Sequence, residues 1–239
     1  MQNSTPTTGK NYAGVWAIIS ILLVLVPDQW SKIYVKLHFL YRESVEVFSW
    51  FHIAFIENNG MAYGMEIGDK LYLTIFRILA VAFFAFILWR GCRMRVSTGL
   101  IIALSLVVSG AMGNIIDCIC YGRLFTDSFG RLAEWTFNGA EGYAPWFEGR
   151  VVDMLYFPLV EFEWPSWVPR AGEMVNWGLG DFAWPSWLPC SNEPFRFFEP
   201  IFNIADSAIC VGVGVLALFY PRSFMELWEK ALARNKKNS

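Results

Sequence analysis

Charge is scarce in this sequence. Of its 239 residues only 17% are Asp, Glu, Lys or Arg, against about 25% in an ordinary soluble domain. The two signs nearly cancel, leaving a net charge of −2, which excludes the basic surface that nucleic acid requires. Histidine is nearly missing: His38 and His52 lie in one segment, so no serine or cysteine nucleophile has a plausible base. No H-E-x-x-H is present either. The five cysteines (Cys92, Cys118, Cys120, Cys190 and Cys210) are too scattered for a disulfide framework or a zinc site. They read as buried or lipid-facing thiols, which behave as small hydrophobes. No metal and no cofactor is implied.

What is abundant is apolar and aromatic residues, 55% and 18% of the chain, gathered in long blocks. A membrane-crossing helix needs about 20 mostly apolar residues to span ~30 Å of hydrocarbon. Residues 71–89 qualify, interrupted by Thr74 and Arg77, and 96–116 carry no charge at all. Residues 201–220 qualify with Asn203, Asp206 and Ser207 inside them, and Pro200 is predicted as the first helical residue. The block 13–27 has the length of a signal-peptide core, but it runs on through DQWSKIYVK without a small-residue cleavage pattern. It is predicted as an uncleaved helix, giving spans at about 13–37, 71–89, 96–117 and 201–220. Arg90, Arg93 and Arg95 follow the second span; Arg222, Lys230, Arg234, Lys236 and Lys237 follow the fourth. Positive charge stays on the cytoplasmic side, so both termini are expected there, with about 38–69 and 121–199 outside.

The first external stretch holds SVEVFSWFHIAFIENNG, whose β-branched and aromatic content predicts short strands and an Asn-Gly turn. The second holds seven of the twelve tryptophans and a repeat, EFEWPSWVP at 161–169 and DFAWPSWLP at 181–189. Two copies are too few for a solenoid. Tryptophan favours the headgroup region, so these segments are expected on the outer membrane surface, with membrane lipid as a partner.

Ionisable groups inside spans are expensive and mark function by default. Asp28 and Lys32 are four apart in the first helix, in the favourable acid-first order. Asn114 and Asp117 are three apart at the outer end of the third, after the small residues Ser109, Gly110, Ala111 and Gly113. Asn203, Asp206 and Ser207 share a face of the fourth, and Asp206 is expected about 9 Å in from its outer end, at 1.5 Å per residue. Arg77 is read as a snorkelling arginine. Asp153 stands outside the spans in the apolar run GRVVDMLYF. All these acids fall at the outer boundary. Two carboxylates in a half-dry cleft share a proton, and with water between them one serves as base and the other as acid. A non-enzymatic membrane protein, or a small transporter using interfacial acids for ion binding, is the competing class; a transporter would place them near the midplane on broken helices.

Taken in order, the motifs resemble those of the lipoprotein signal peptidases, signal peptidase II. They are DQWSK at 28–32, NNGMAYG at 58–64, GAMGNIID at 110–117, GRVVD at 149–153 and FNIAD at 202–206. The wording VVDMLYFP at 151–158 is similar to that of the longer Bacteroidetes members. The resemblance implies one membrane-embedded peptidase domain over 1–239. Its fold would be an all-α bundle of four transmembrane helices with a small extracytoplasmic β-rich cradle, here with an extended extracytoplasmic insertion. The implied activity is that of a bacterial inner-membrane aspartyl endopeptidase that needs no metal. It would remove the signal peptide from prolipoproteins carrying a diacylglyceryl cysteine, cutting just before that cysteine. The catalytic pair would be Asp153 and Asp206. Asp28, Lys32, Asn58, Gly60, Asn114, Asp117 and Asn203 would support the site or contact substrate.

Two departures stand out. The family usually has arginine after the Asp of G-N-x-x-D, where this chain has Cys118; Arg123 and Arg150 are the candidates to replace it. The V-V-D block also comes later than usual, and YGRLFTDS at 121–128 occupies its place. Asp127 is therefore a positional rival to Asp153, while 123–148 reads as an inserted segment.

Overall fold

The computed structural model describes residues 12–59, 70–176, 178, 180–186, 188–197 and 200–233. Gly60, Trp177, Trp187 and the basic residues Arg234, Lys236 and Lys237 lie outside them. The described chain forms helices α1 (Ala13–His38), α2 (Lys70–Met94), α3 (Thr98–Ile116), the single turn α4 (Gly122–Leu124), α5 (Ile204–Phe219) and α6 (Pro221–Ala233). Strands are β1 (Ser44–Phe48), β2 (Phe51–Asn58), β3 (Val151–Tyr156), β4 (Val160–Glu163), β5 (Met174–Asn176), β6 (Asp181–Ala183) and β7 (Pro194–Phe197). Contacts divide the chain into two compact units: 1–43, 55–154 and 202–239, and 44–54 with 155–201.

In the first unit α3 is the central helix, packed against α1, α2 and α5. Its residues Leu100, Ile101, Leu104, Val107 and Val108 are buried, whereas α1 turns Ile18, Leu22, Leu23 and Val26 outward. Bare apolar faces around a packed helix suit a hydrocarbon solvent. Among the described residues three helices are long and apolar enough to cross a membrane, or four if α5 and α6 count as one bent span. Lipid gives apolar helices no reason to associate, so close backbone approach must do it. Ala205, Ala208 and Gly212 form the buried stripe of α5. On α3, a Cβ added to Gly110 would lie 2.2 Å from the carbonyl oxygen of Ala205. The hydroxyls of Ser105 and Ser109 donate to carbonyls of their own helix, so neither brings an unpaired polar group into the bundle.

The helix ends depart from the sequence reading. Pro200 is not helical; α5 starts at Ile204, capped by Asn203. The reason is reciprocal hydrogen bonding. The Asn203 side chain accepts from Asp206 N at 2.9 Å, and Asp206 Oδ2 accepts from Asn203 N at 3.3 Å. This capping box satisfies two donors that a start at Pro200 would leave to chance. Asp206 therefore sits in the first turn of the helix, and not about 9 Å in, as a start at Pro200 would give. The preference of proline for a first helical position is met instead at Pro221, where the chain bends by 96° into α6. At the other side of the bundle, α3 does not end at Asp117 but continues as a π-helical turn, Asp117–Tyr121.

The strands β1, β2 and β3 form one sheet in that order; Phe55–Asn58 and Val151–Met154 belong to the first unit. Within the second unit the two WPSW copies pair reciprocally. Trp164 N donates to Glu193 O and Asn192 N to Trp164 O; Trp184 N donates to Glu173 O and Gly172 N to Trp184 O. Each copy's tryptophan thus closes on the other copy's turn, with β4 beside β7 and β5 beside β6. Gly172 and Asn192 hold equivalent left-handed conformations, at φ 78° and 60°. Two copies suffice because they complete each other.

Replacing Gly110 by alanine should push α3 and α5 apart. We expect a loss of about 1–3 kcal/mol, the usual range for overpacking, read as a lowered thermal midpoint in detergent.

Candidate active site

Eight polar side chains come together where α1, α3 and the turn that follows it, β2, β3 and the start of α5 meet in the first unit. Lys32 is fully buried. Its Nζ lies 3.0 Å from Asp28 Oδ2 and 2.9 Å from Asp117 Oδ2, and it donates to Asn114 Oδ1 at 2.9 Å. Three donors thus meet three acceptors. The helical spacing of DQWSK aligns Asp28 with Lys32, and the π-helical turn carries Asp117 across to them; such turns are frequent at functional sites.

The carboxylates pass this order outward. Asp28 Oδ1 accepts from the backbone N–H of Ala205 at 2.8 Å. Asp117 Oδ2 accepts from the backbone N–H of Val152 at 3.3 Å. Those residues directly precede Asp206 and Asp153. Gln29, which the sequence reading passed over, donates to Asp117 Oδ1, Asp28 Oδ2 and Gly113 O, and accepts from the Tyr121 hydroxyl. Its signal was its place inside the DQWSK block.

Asn203 joins the two outlying acids. Its side-chain amide donates to Asp153 Oδ1 at 2.7 Å, while its backbone N–H donates to Asp206 Oδ2. The same amide also reaches Asn114 Oδ1 and Val152 O, each at 3.2 Å. Asn114 in turn donates to Asp206 Oδ1 at 2.7 Å. Asp153, on β3, is 4% exposed. Burial first, and the negative charge of Asp206 second, push its carboxyl up to about 7. Asn58 on β2 hydrogen-bonds Asp153 and works in the opposite direction. Asp153 can thus keep a proton near neutral pH. Gly149 of GRVVD is required where it stands: a Cβ there would lie 2.1 Å from Asp117 O.

The structure therefore brings together Asp28, Lys32, Asn58, Asn114, Asp117, Asp153, Asn203 and Asp206. Asp127 is apart from them, paired with Arg150 at 3.0 Å; burial raises its carboxyl, but the Arg150 guanidinium and the backbone N–H groups of Ser128 and Phe129 together hold it below the usual range. Arg123 is exposed, and Arg150 is engaged by Asp127 and Glu57. The guanidinium nearest Cys118 is that of Arg77, whose Nη1 donates to the Cys118 sulfur at 3.1 Å. Arg77 points to a polar partner within the protein and does not merely snorkel. Among the described residues no group of three or more His, Cys, Asp and Glu is arranged to hold a metal ion.

A family model described as "Signal peptidase (SPase) II" matches residues 20–221. The chain belongs to the signal peptidase II family. It is similar to a lipoprotein signal peptidase of Porphyromonas gingivalis, 44% identical over 204 residues that cover 85% of this chain and 81% of the relative. One from Amoebophilus asiaticus is 32% identical over 214 residues, covering 85% and 77%. The fold is similar to that of a bacterial membrane enzyme solved by the in meso method at 1.9 Å resolution. That likeness has a TM-score of 0.51 and 20% identity, and covers 88% of this chain and 96% of the other. Signal peptidase II membership and the apolar helices make the chain a bacterial membrane protein and a protease.

Two measurements test this geometry. Lys32→Met leaves two buried carboxylates without their cation and should destabilise the protein by about 3–5 kcal/mol, seen in thermal unfolding. Asp153→Asn should do the opposite at high pH. A carboxyl of ordinary pKa near 4 when unfolded and about 7 when folded opposes folding increasingly as pH rises through that window. The asparagine variant should therefore be more stable by a few kcal/mol at pH 8.5, with the gain vanishing towards pH 4.

Proposed function

We propose that this chain is an aspartyl endopeptidase that removes the signal peptide from diacylglyceryl-modified prolipoproteins, cutting before the lipidated cysteine. The observation that carries the reading is the bridging of Asp153 and Asp206 by Asn203, in a buried polar site at the ends of membrane helices. Asp153 is the member that keeps a proton near neutrality. Asp206 draws a proton from a water held between them, the oxygen attacks the scissile carbonyl, and Asp153 protonates the carbonyl oxygen. Collapse of the tetrahedral intermediate breaks the C–N bond, and the amine of the lipidated cysteine leaves with a proton returned by the pair. Asp28, Lys32, Asn114 and Asp117 hold the two acids in place, and Asn58 and Asn203 hydrogen-bond them; Gly60 belongs with this set by motif.

The protein sits in the bacterial cytoplasmic membrane as a four-span bundle. α5 is its short fourth crossing, and α6, with Arg222, Glu226, Glu229 and Lys230 exposed, turns along the cytoplasmic face. Both termini are cytoplasmic, 38–69 and 121–199 are outside, and the strands cradle the substrate's extended peptide. The acids then lie at the outer leaflet boundary, where the substrate's acyl chains stay in lipid while its peptide reaches polar groups.

Asp153→Asn and Asp206→Asn, assayed on a diacylated precursor, should each reduce cleavage by at least about a thousandfold in protein that still inserts and folds. Asp127→Asn should retain at least about a tenth of the rate. Full activity in Asp153→Asn with loss in Asp127→Asn would reassign the acid.

A further inference from the structure

A second buried charge cluster lies beside the site in the same unit, and the chemistry above makes no use of it. Lys36, one turn beyond Lys32, and Glu57 on β2 are both fully buried and joined in a salt bridge. Ser128 Oγ donates to Glu57 Oε1 at 3.1 Å and accepts from Lys36 Nζ at 3.1 Å. Arg150 Nη1 donates to Glu57 Oε2 at 2.8 Å and to Asp127 Oδ1 at 3.0 Å. Two positive and two negative groups balance, so the cluster carries no net charge. Aromatic rings close around it. The Arg150 guanidinium lies 4.8 Å from Phe129 and 4.7 Å from Tyr143, and Lys36 lies 4.8 Å from Tyr143. The Tyr143 hydroxyl also accepts from Arg150 N at 2.8 Å.

The position of this cluster matters more than its strength. β2 and β3 are neighbours in the sheet, and successive side chains on a strand point to opposite faces. Glu57 faces the charge cluster with Phe55, whose ring Lys36 also overlies. Asn58, the next residue, therefore faces the other way and meets Asp153. Arg150 stands just ahead of β3, three residues before Asp153. The Arg150–Glu57 bond ties the residue that leads into β3 to the residue that precedes Asn58 on β2. A slip of one residue between the strands would turn Asn58 away from the acid.

We infer that Arg150 and Glu57, with Lys36 and Asp127 as their counter-charges, form a register latch that positions Asn58 against Asp153. They are positioning residues and touch no reacting atom. The inference rests on Asp153 being a catalytic acid. It gives Asp127 a role of its own, as the outer counter-charge of Arg150, held ionised where Asp153 titrates.

The charged groups acting directly on Asp153 are Asp206 from α5 and Lys32 from α1, alongside the amides of Asn58 and Asn203. Since the Asn58 hydrogen bond lowers the affinity of Asp153 for its proton, a loosened latch should raise that affinity. The alkaline limb of the kcat–pH profile, where Asp153 loses its proton, would then move to higher pH. Arg150→Lys keeps the charge but loses the planar surface clamped between two rings. On a diacylated precursor it should lower kcat about tenfold and move the alkaline limb up by roughly 0.5–1 unit, with KM within about twofold. An unchanged kcat and limb in folded Arg150→Lys would overturn the latch. Should that variant fail to fold, Asp127→Asn carries the test, its carboxylate being 42% exposed. Loss of a nearby negative charge alone would shift the limb down, which overturns the inference; an upward shift supports it. Asp153→Asn is measured in parallel. Retained activity there removes the premise, an outcome distinct from an active, unshifted Arg150→Lys beside an inactive Asp153→Asn.

Discussion

The buried ammonium of Lys32 is the constraint on which the site depends. A cation in a membrane-embedded bundle must find acceptors within the protein, and this one has one for each of its N–H bonds: Asp28, Asp117 and Asn114. Their remaining oxygens and amides are then committed. Asp28 takes the N–H of Ala205, Asp117 takes the N–H of Val152, and Asn114 donates to Asp206. One charge thereby sets the backbone just before each of the two acids. Such a group contributes little net stability, because desolvation offsets the attraction. Its value lies in specification, since any other arrangement of α1, α3 and the start of α5 would strand a buried charge.

The two acids are held in different ways. Asp206 is the third residue of α5, where its carboxylate closes the capping box with Asn203. Asp153 stands on a strand among Val151, Val152 and Met154, all buried, where burial favours its neutral form. Asn203 touches both, through its backbone on one side and its amide on the other. A single residue thus fixes their separation, close enough for the charge of Asp206 to act on Asp153.

Much of this was legible in the sequence. The apolar blocks marked α1, α2, α3 and α5, because about twenty mostly apolar residues in a row have few other uses. The five motif blocks named eight residues that the structure draws together, since each is a polar group where polarity is expensive. What escaped depended on hydrogen bonds that cross the fold. The start of α5 lies four residues beyond Pro200, where proline preference places it, because the Asn203–Asp206 box decides the start. The turn at 117–121 has no signature in GNIIDCICYG, whose apolar residues fit either helical period. No motif singles out Lys36 or Glu57, and only the fold, with β2 beside β3, makes them neighbours of Arg150. Residues 125–128, read as part of an insertion, are built into the unit through Thr126 and Ser128, both buried.

The reciprocal closure of the two WPSW copies also bears on how such a chain changes over evolutionary time. β4 and β7 are paired antiparallel, with Val160 opposite Phe197, so the polypeptide leaves this module about 5 Å from where it enters. A segment with adjoining entry and exit can be acquired, lengthened or discarded with little loop-closure penalty. It can do so only as a pair, because a lone copy would have no complementary turn on which to close. The interval between the codons for Asp153 and Asp206 is then a permissive site for lineage-specific growth, with duplication as its natural step.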